Sequence, residues 1–412
     1  MLESIGQKAQ NAARALMRFD NAARSRALHL MAAALEQNED NILAANAEDM
    51  AASRKDGLAA SFLDRLLLNE KRIRSMAEGL RSVADLPDPL DRLLWETTRP
   101  NGLNIKRLSS PMGVIAVIFE ARPNVTADSA ALSLKAGSAI ILRGGKEAIR
   151  SNTAIVNALR TALEASGLPK DAVQLVEDVT RASAEALMTL KGYVDLLIPR
   201  GGAGLIRSAV ENATVPVLQT GEGVCHIYVD KDADIKMAVD ITLNAKISRP
   251  SVCNAAEALL VHKDIAPAAL PILAKALRDA HVTLHGDERA RALFDDMTPA
   301  VEEDWGHEFL DLTLAVKVVD DMQAALDHIS RYGTKHSETI VTDNRGSASA
   351  FLKMVDAAAV YHNASTRFTD GAEFGFGAEI GISTQKLHAR GPVGLNELTT
   401  YKYVIEGNGQ VR

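Results

Sequence analysis

The fold is decided by residues 138–167, SAIILRGGKEAIRSNTAIVNALRTALEASG, which have the pattern of a strand, a pair of glycines and an amphipathic helix. Two units of the same form follow, at residues 171–190 and 193–213, and the second of them again has paired glycines. Before them, the apolar and largely β-branched run GVIAVIF at 113–119 is typical of a strand buried on both faces of a parallel sheet. This alternation of strands and helices predicts a doubly wound α/β domain.

The flanking sequence predicts the rest of the architecture. From Glu3 to about Leu86, apolar residues recur at the spacing of helices. Residues 104–124 read as two extended segments around a turn, and residues 215–230 read as two further strands across a glycine-flanked turn. A second α/β unit begins near Asp230, and TTYKYVIEG at 399–407 closes the chain as a strand. We therefore expect divisions at 1–230, 231–363 and 364–412, with residues 101–112 joining a small β element.

The amino-acid composition limits the classes of protein to which the chain can belong. The chain has 412 residues, 47% hydrophobic and 24% charged, which is ordinary for a globular enzyme of two or three domains. A net charge of −7 argues against a general nucleic-acid binder. No apolar run reaches the ~18 residues of a membrane span, and the N-terminus lacks the pattern of a signal peptide. Two cysteines without metal-ligand spacing, and histidines without an HExxH motif, predict a cytoplasmic enzyme without a metal or a disulfide framework.

Two glycine-rich turns could bind a nucleotide. Each lies between a strand and a helix, where backbone N–H groups and the helix N-terminus meet phosphates, although neither is a GxGxxG motif. Two such turns in one sheet favour a dinucleotide, which spans the crevice at the carboxyl ends of the strands. Their basic side chains are either solvated loop charges or partners of cofactor phosphates, including a 2′-phosphate. The candidate cofactor residues are Arg143, Gly144, Gly145, Lys146, Arg200, Gly201 and Gly202.

The stretch ISRPSVCNAAE at 247–257 raises the question of a nucleophile. Free cysteine is often a buried packing residue, so Cys253 by itself supports either interpretation. Arg249 nearby would favour a thiolate by its positive charge, and it could equally be an interface residue. Cys225 precedes His226 in a predicted strand, where neighbouring side chains point to opposite faces. The two therefore cannot form a nucleophile–base pair directly, and we predict that Cys225 is a packing residue.

Six motifs carry a family resemblance. SSPMGVIAVIFEARPN, AGSAIILRGGKEA, IPRGGAGLI, RPSVCNAAE, SRYGTKHSETIVT and FGFGAEIGIST follow one another along nearly the whole chain. Their order resembles that of the motifs of the aldehyde dehydrogenase superfamily, and their residues are similar to those of its branch in proline biosynthesis. The resemblance implies an aldehyde-dehydrogenase-like fold with a cofactor domain, a catalytic domain and a β element that mediates oligomerisation. It also implies NADPH-dependent reduction of L-glutamate 5-phosphate by a homo-oligomer, with the preceding glutamate kinase as a candidate partner.

The resemblance assigns roles to individual residues. Cys253 takes the place of the superfamily's nucleophile, and Asn124 that of the oxyanion-hole amide; without the resemblance, Asn124 could be a cap or turn after Pro123. Arg143 matches a lysine near the adenosine ribose, and Glu308 a glutamate that holds the nicotinamide ribose. We expect substrate contacts near the nucleophile, with Arg367 on the α-carboxylate. The substrate candidates are Glu120, Arg122, Arg249, Ser365, Thr366 and Arg367.

The sequence departs from hydrolytic members of the superfamily. At the place of their general-base glutamate it has Gln219, and Glu222 is displaced by three positions. Because an amide cannot take a proton from water, a hydrolytic cycle would lose its base. Two other functions stay open at this point. The same fold could act on another aldehyde or acyl phosphate, such as N-acetylglutamyl phosphate, or the chain could be a catalytically silent nucleotide-binding assembly protein.

Overall fold

The computed structural model describes residues 2–412, apart from the side chains of Ala60, Ser61 and Ala203. Backbone contacts divide the chain into two compact units. The first comprises the described residues as far as Thr220, together with Gly375–Gly381 and Val393–Arg412. The second comprises Gly221–Phe374 and Ile382–Pro392.

The first unit begins with the helices that the apolar spacing predicts. They are α1 (Leu2–Leu16), α2 (Asn21–Gln37), α3 (Glu39–Lys55), α4 (Ala60–Leu66) and α5 (Glu70–Asp85). Asp20 caps α2 by accepting a hydrogen bond from the Ala23 amide at 2.8 Å, and Asn69 caps α5 in the same way. Leu28 and Leu35 of α2 are fully buried, as the inner face of an amphipathic helix requires.

Three antiparallel strands form the β element of this unit. They are β1 (Leu93–Thr98), β2 (Asn104–Pro111) and β16 (Thr399–Glu406), with β2 in the centre. Both outer strands carry large exposed side chains, among them Trp95 on β1 and Tyr403 and Ile405 on β16. The element therefore presents aromatic and aliphatic surface to its surroundings.

A four-stranded parallel sheet forms the centre of the first unit. Its strands are β3 (Val114–Phe119), β4 (Ala139–Gly144), β5 (Val173–Leu175) and β6 (Leu196–Arg200). Its helices are α6 (Asn124–Lys135), α7 (Ile149–Ala165), α8 (Arg181–Met188) and α9 (Ala203–Asn212). The strand order β5-β4-β3-β6 means that the chain leaves β3 on one side and returns to the other side with β6. This topological switch places a crevice at the carboxyl ends of β3 and β6, where α/β proteins bind ligands.

The second unit is built on a seven-stranded parallel sheet of order β10-β9-β11-β8-β7-β12-β13. Its strands are β7 (Cys225–Val229), β8 (Ala256–His262), β9 (Thr283–Gly286), β10 (Thr298–Pro299), β11 (Thr313–Val319), β12 (Ser337–Val341) and β13 (Ala359–His362). Its helices are α10 (Ile235–Ile247), α11 (Ala266–Asp279), α12 (Glu288–Leu293), α13 (Met322–Tyr332) and α14 (Arg345–Met354). A short antiparallel pair, β14 (Ile382–Ser383) and β15 (Gly391–Pro392), completes the unit.

One strand prediction is wrong. Of residues 215–230, only Cys225–Val229 form a strand, and Val217 makes a single bridge to Leu197. Pro216 lacks an N–H for a ladder, and the glycines at 221 and 223 interrupt any strand that would continue from it. The other predicted strand–helix alternations are confirmed. Within residues 2–412, no helix is long and apolar enough to span a bilayer, and no cluster of three or more metal-ligating side chains occurs.

Candidate active site

Cys253 lies in the loop that joins α10 to β8 in the second unit, and its side chain is half-buried. The carbonyl oxygen of Cys253 accepts a hydrogen bond from the Cys225 Sγ at 3.2 Å. On its other side, the backbone of Cys253 packs so closely on Gly223 that a Cβ there would overlap it. The next residue, Asn254, is buried and donates from Nδ2 to the Thr369 carbonyl at 2.9 Å. The backbone around the candidate nucleophile is therefore held from three sides.

Cys225 is a packing residue, as predicted. It is fully buried in β7, and burial raises the pKa of its thiol well above the ordinary value, with Glu338 adding to the effect. Its neighbour His226 is equally buried and bonds through Nδ1 to the Glu338 carboxylate at 2.9 Å. Of the two sulfurs, only Cys253 is accessible enough to meet a substrate.

Two arginines give the Cys253 loop positive charge. Arg367 donates from Nε to the Ser248 Oγ at 3.0 Å and from a terminal nitrogen to the Asn254 side-chain oxygen. Burial lowers the pKa of Arg367, the charge of Arg249 lowers it further, and Asp370 and Cys253 raise it. The Arg367 guanidinium is thus an electrostatic neighbour of both Arg249 and the Cys253 sulfur. Such surroundings favour the reactive thiolate form of a cysteine.

The other predicted substrate residues of this unit support the loop. The Thr366 hydroxyl is fully buried and donates to the Asn254 carbonyl at 2.7 Å. The Ser365 hydroxyl is buried too and accepts a hydrogen bond from the Arg367 amide at 3.3 Å. Both hydroxyl groups fix their neighbours Asn254 and Arg367, and contact of the two side chains with the substrate stays a prediction. Arg249 is exposed on the same loop.

Glu308 lies close to the backbone that supports Cys253. Its Oε1 accepts a hydrogen bond from the Gly223 amide at 2.8 Å, and burial raises the pKa of the carboxyl group. Sequence reasoning missed a second acidic residue in this region. Glu257 forms a buried ion pair with Lys246, with 2.6 Å between Oε2 and Nζ. The signal in the sequence was a pair of oppositely charged residues, one shortly before and one shortly after the Cys253 loop.

In the first unit, Asn124 is the first residue of α6, directly after Pro123. Its side chain is exposed, and its Nδ2 donates to the Asp128 carboxylate at 3.0 Å. Burial raises the pKa of Asp128 to about 6, and the bond from Asn124 and the charge of Arg200 oppose that rise. An amide nitrogen has two N–H donors, so one of them is left to bind an oxygen of a ligand.

At the first glycine turn, the Arg143 side chain lies where the sequence pattern does not predict it. This side chain is buried, and its guanidinium donates to the Val179 and Thr180 carbonyls at 2.7 and 2.8 Å. Burial lowers its pKa. Arg143 is therefore not a solvated loop charge but ties the end of β4 to the segment before α8. Lys146 is exposed, and its Nζ is 3.5 Å from Asp56, a weak surface pair that an anion can displace.

The second glycine turn holds a carboxylate where a phosphate was expected. Glu120, at the end of β3, accepts a hydrogen bond from the Gly202 amide at 2.9 Å, and its carboxylate fills the space that a Cβ at Gly201 would need. Glu120 thus lies against the second glycine turn, and its contact with the substrate stays a prediction. Arg200 ends β6 beside this turn, and Arg122 is half-buried between β3 and α6. Gly202 thus presents an anion-binding N–H at the start of α9.

The chain is similar to known proteins of one family. The model of the aldehyde dehydrogenase family matches residues 2–304. A gamma-glutamyl phosphate reductase from Moorella thermoacetica is 57% identical over 411 residues, which are 100% of this chain and 98% of the relative. One of the same name from Enterococcus faecalis is 54% identical over 413 residues, covering 100% of this chain and 99% of the relative.

Solved structures show the same fold. The crystal structure of a gamma-glutamyl phosphate reductase from Thermotoga maritima matches with a TM-score of 0.97 and 47% identity, covering 100% of this chain and 99% of that one. An acetylating aldehyde dehydrogenase from Geobacillus thermoglucosidasius matches with a TM-score of 0.72 at 17% identity, covering 100% and 97%. The second likeness concerns the fold alone. The α/β architecture expected from the motifs is confirmed.

Proposed function

The chain belongs to the aldehyde dehydrogenase family, and from that membership we propose that it reduces L-glutamate 5-phosphate to L-glutamate 5-semialdehyde and phosphate in proline biosynthesis. The observation that carries the proposal is 57% identity over the full chain to gamma-glutamyl phosphate reductase. The presence of Cys253 on a positively charged loop supplies the chemistry that such an enzyme needs. A silent assembly protein would not require that arrangement.

The first chemical step is the formation of a thioester. The Cys253 thiolate attacks the acyl carbon, a C–S bond forms, and the C–O bond to phosphate breaks, so that inorganic phosphate leaves with the electron pair. We assign Arg249 and Arg367 to the anionic groups of the substrate, because guanidinium groups bind carboxylate and phosphate through paired hydrogen bonds. Arg367 is already oriented by Ser248, which suits it to the α-carboxylate.

The second step reduces the thioester. A reduced nicotinamide cofactor, which the family uses, supplies a hydride when bound. The thioester carbonyl carbon accepts this hydride, and its oxygen becomes negatively charged. We assign the available Nδ2 donor of Asn124 to that oxygen; each donor of this kind contributes roughly 2.7–4 kcal/mol. When the negative oxygen restores the C=O bond, the C–S bond breaks, the aldehyde leaves and the Cys253 thiolate is regenerated.

The residues at the two turns fit a dinucleotide. The Gly202 N–H at the start of α9 would bind a cofactor phosphate in place of the Glu120 carboxylate, and Glu308 offers a carboxylate for a ribose hydroxyl. We propose that the cofactor is NADPH, because Lys146 and Arg200 lie at the two glycine turns, where cations can pair with phosphates, and Lys146 is exposed. Arg143, which is buried, would act on the cofactor by fixing the turn of Gly144 and Gly145.

Water should not compete for the thioester. Gln219 has no basic group to activate water, whereas inorganic phosphate is already a nucleophilic anion. In the reverse direction, oxidation of glutamate 5-semialdehyde therefore requires phosphate.

We also propose a homo-oligomer in the cytoplasm. The exposed aromatic and aliphatic side chains of β1 and β16 suit burial against another copy of the chain. Both cysteines are free thiols, which fits a reducing compartment. Association with the glutamate kinase that makes the substrate is a further proposal, and co-elution of the two purified proteins would test it.

One experiment tests the proposed reaction. Purified protein is incubated with glutamate 5-semialdehyde and NADP, with and without inorganic phosphate, and NADPH formation is followed by absorbance. We expect reduction of NADP only with phosphate. Steady turnover to glutamate without phosphate would contradict the mechanism, and activity only with N-acetylglutamate semialdehyde would contradict the substrate. Omitting protein and substituting NAD for NADP are the controls.

A further inference from the structure

A buried ion pair joins the two ends of the loop that carries Cys253. Lys246 is the second-last residue of α10, and Glu257 is the second residue of β8, so the pair brackets residues 248–255. The Nζ and Oε2 atoms are 2.6 Å apart, and the two side chains are 0% and 1% exposed. This contact fixes the distance between the element that enters the loop and the element that leaves it.

Stability does not account for such a pair. Removing two charges from water costs about as much as their attraction returns, so an apolar pair of the same size is commonly as stable or more stable. What a short charged hydrogen bond supplies in addition is a defined geometry. The Lys246–Glu257 pair therefore calls for an explanation in terms of position rather than of folding energy.

The pair also connects the nucleophile to the candidate cofactor carboxylate. Glu257 accepts a second hydrogen bond, through Oε1, from the Leu310 amide at 3.3 Å, two residues beyond Glu308. Glu308 in turn binds the Gly223 amide, and Gly223 packs directly on the backbone of Cys253. A displacement of Glu257 would consequently reach both the sulfur and Glu308.

Electrostatics couple the same groups. Burial raises the pKa of Glu257 to about 7, Lys246 lowers it, and Glu308 raises it. Lys246 likewise lowers the pKa of Glu308, which burial and the charge of Glu222 raise. Burial lowers the pKa of Lys246, and the charges of Glu257 and Asp311 oppose that fall. Lys246 is thus coupled by its charge to the buried Glu257, the half-buried Glu308 and the exposed Asp311.

We propose that Lys246 and Glu257 are positioning residues, whose ion pair holds the Cys253 loop in its reactive geometry and Glu308 in its place for the cofactor. The inference rests on the proposed function, since it assigns the pair a part in the Cys253 thioester reaction. It concerns geometry and charge only, and neither residue is assigned contact with the substrate.

The test is the double variant Lys246→Met/Glu257→Leu, which leaves no lone buried charge. We expect a melting temperature near that of the parent, a ~100-fold fall in kcat/KM, as for a reacting group misplaced by an ångström, and slower alkylation of Cys253 by iodoacetamide. The KM for NADPH should rise as well. The matched control is Lys135→Met, which removes a fully buried lysine of the first unit that donates to Ser25 and the Ala84 carbonyl. Folded control protein should keep the parent alkylation rate.

Parent values of kcat/KM and alkylation in the folded double variant would overturn the inference. Should the double variant fail to fold, Glu257→Gln decides, because the amide keeps the shape and loses the charge. Reduced alkylation and turnover of the folded Gln variant would support positioning, and parent values of both would overturn it. Alkylation needs no substrate, so its rate tests this inference separately from the proposed function. If the parent protein did not reduce glutamate 5-phosphate but the variants were still alkylated more slowly, only the proposed function would be refuted.

Discussion

Replacing Gly223 by alanine should disable the enzyme while most of the fold survives. The new Cβ would overlap the carbonyl group of Cys253, so one of the two backbones must move by a bond length or so. A misplacement of about 1 Å at a reacting group lowers the rate ~100-fold, and overpacking of this kind destabilises a protein by ~1–3 kcal/mol. The Gly223 amide also holds Glu308, so the KM for the cofactor should rise with the fall in kcat.

The assay combines steady-state reduction of glutamate 5-phosphate, iodoacetamide labelling of Cys253 and a thermal melt. Gly204→Ala is the matched control, because nothing lies within 4 Å of the position its Cβ would take. Within α9 this change should stabilise the protein by ~0.4–1 kcal/mol and leave the labelling rate of Cys253 unchanged. If Gly223→Ala retained the parent kcat and labelling rate, the close packing of Gly223 on Cys253 would have no functional role, and the reasoning would be refuted.

Three other substitutions test individual assignments. Cys253→Ser should abolish reduction, because a hydroxyl does not supply the anion that a thiolate does, whereas Cys225→Ser should keep most of the activity; equal loss in both would remove the distinction between the two sulfurs. Arg367→Ala should raise the KM for glutamate 5-phosphate ~10-fold or more without changing that for NADPH, as expected when a bidentate anion contact is lost, and an unchanged KM would exclude the role. Lys146→Ala should weaken NADPH binding more than NADH binding, measured by fluorescence titration, and an equal effect on both cofactors would show that Lys146 does not bind the 2′-phosphate.

The sheets of this protein could be predicted because their strands are buried on both faces. A strand such as β3 has no solvent side, and its six residues are all apolar and all buried. The region from Val215 to Val224 could not be predicted in the same way. Its apolar residues pack as coil, with Val217 bridged to Leu197, and only tertiary contact distinguishes buried coil from a strand.

Some residues of the candidate site could be predicted from the sequence and others could not. Cys253 and Asn124 could be proposed from the sequence because a motif of consecutive residues carries each of them. The burial of Arg143 could not, because its partners are backbone carbonyls at 179 and 180, and every residue type has a carbonyl. Lys246 and Glu257 are 11 positions apart in two different elements, and only the fold brings them together. A local sequence pattern can therefore indicate a reactive residue, whereas the charged residues that support it are brought together only by long-range contacts in the fold.

The β element has a consequence for synthesis on the ribosome. Its central strand, β2, belongs to the first third of the chain, whereas its partner β16 is formed by Thr399–Glu406. The long N-terminal segment of the first unit ends at Thr220, about 180 residues before β16 begins at Thr399. Because the ribosome adds roughly 5–20 residues per second, the synthesis of those residues takes roughly 9–36 s. For all of that time one edge of β2 lacks its native partner. Because an unpaired strand edge is a template for wrong pairing between chains, nascent copies on one polysome are at risk of joining through β2, and truncation before residue 399 should make the protein aggregate.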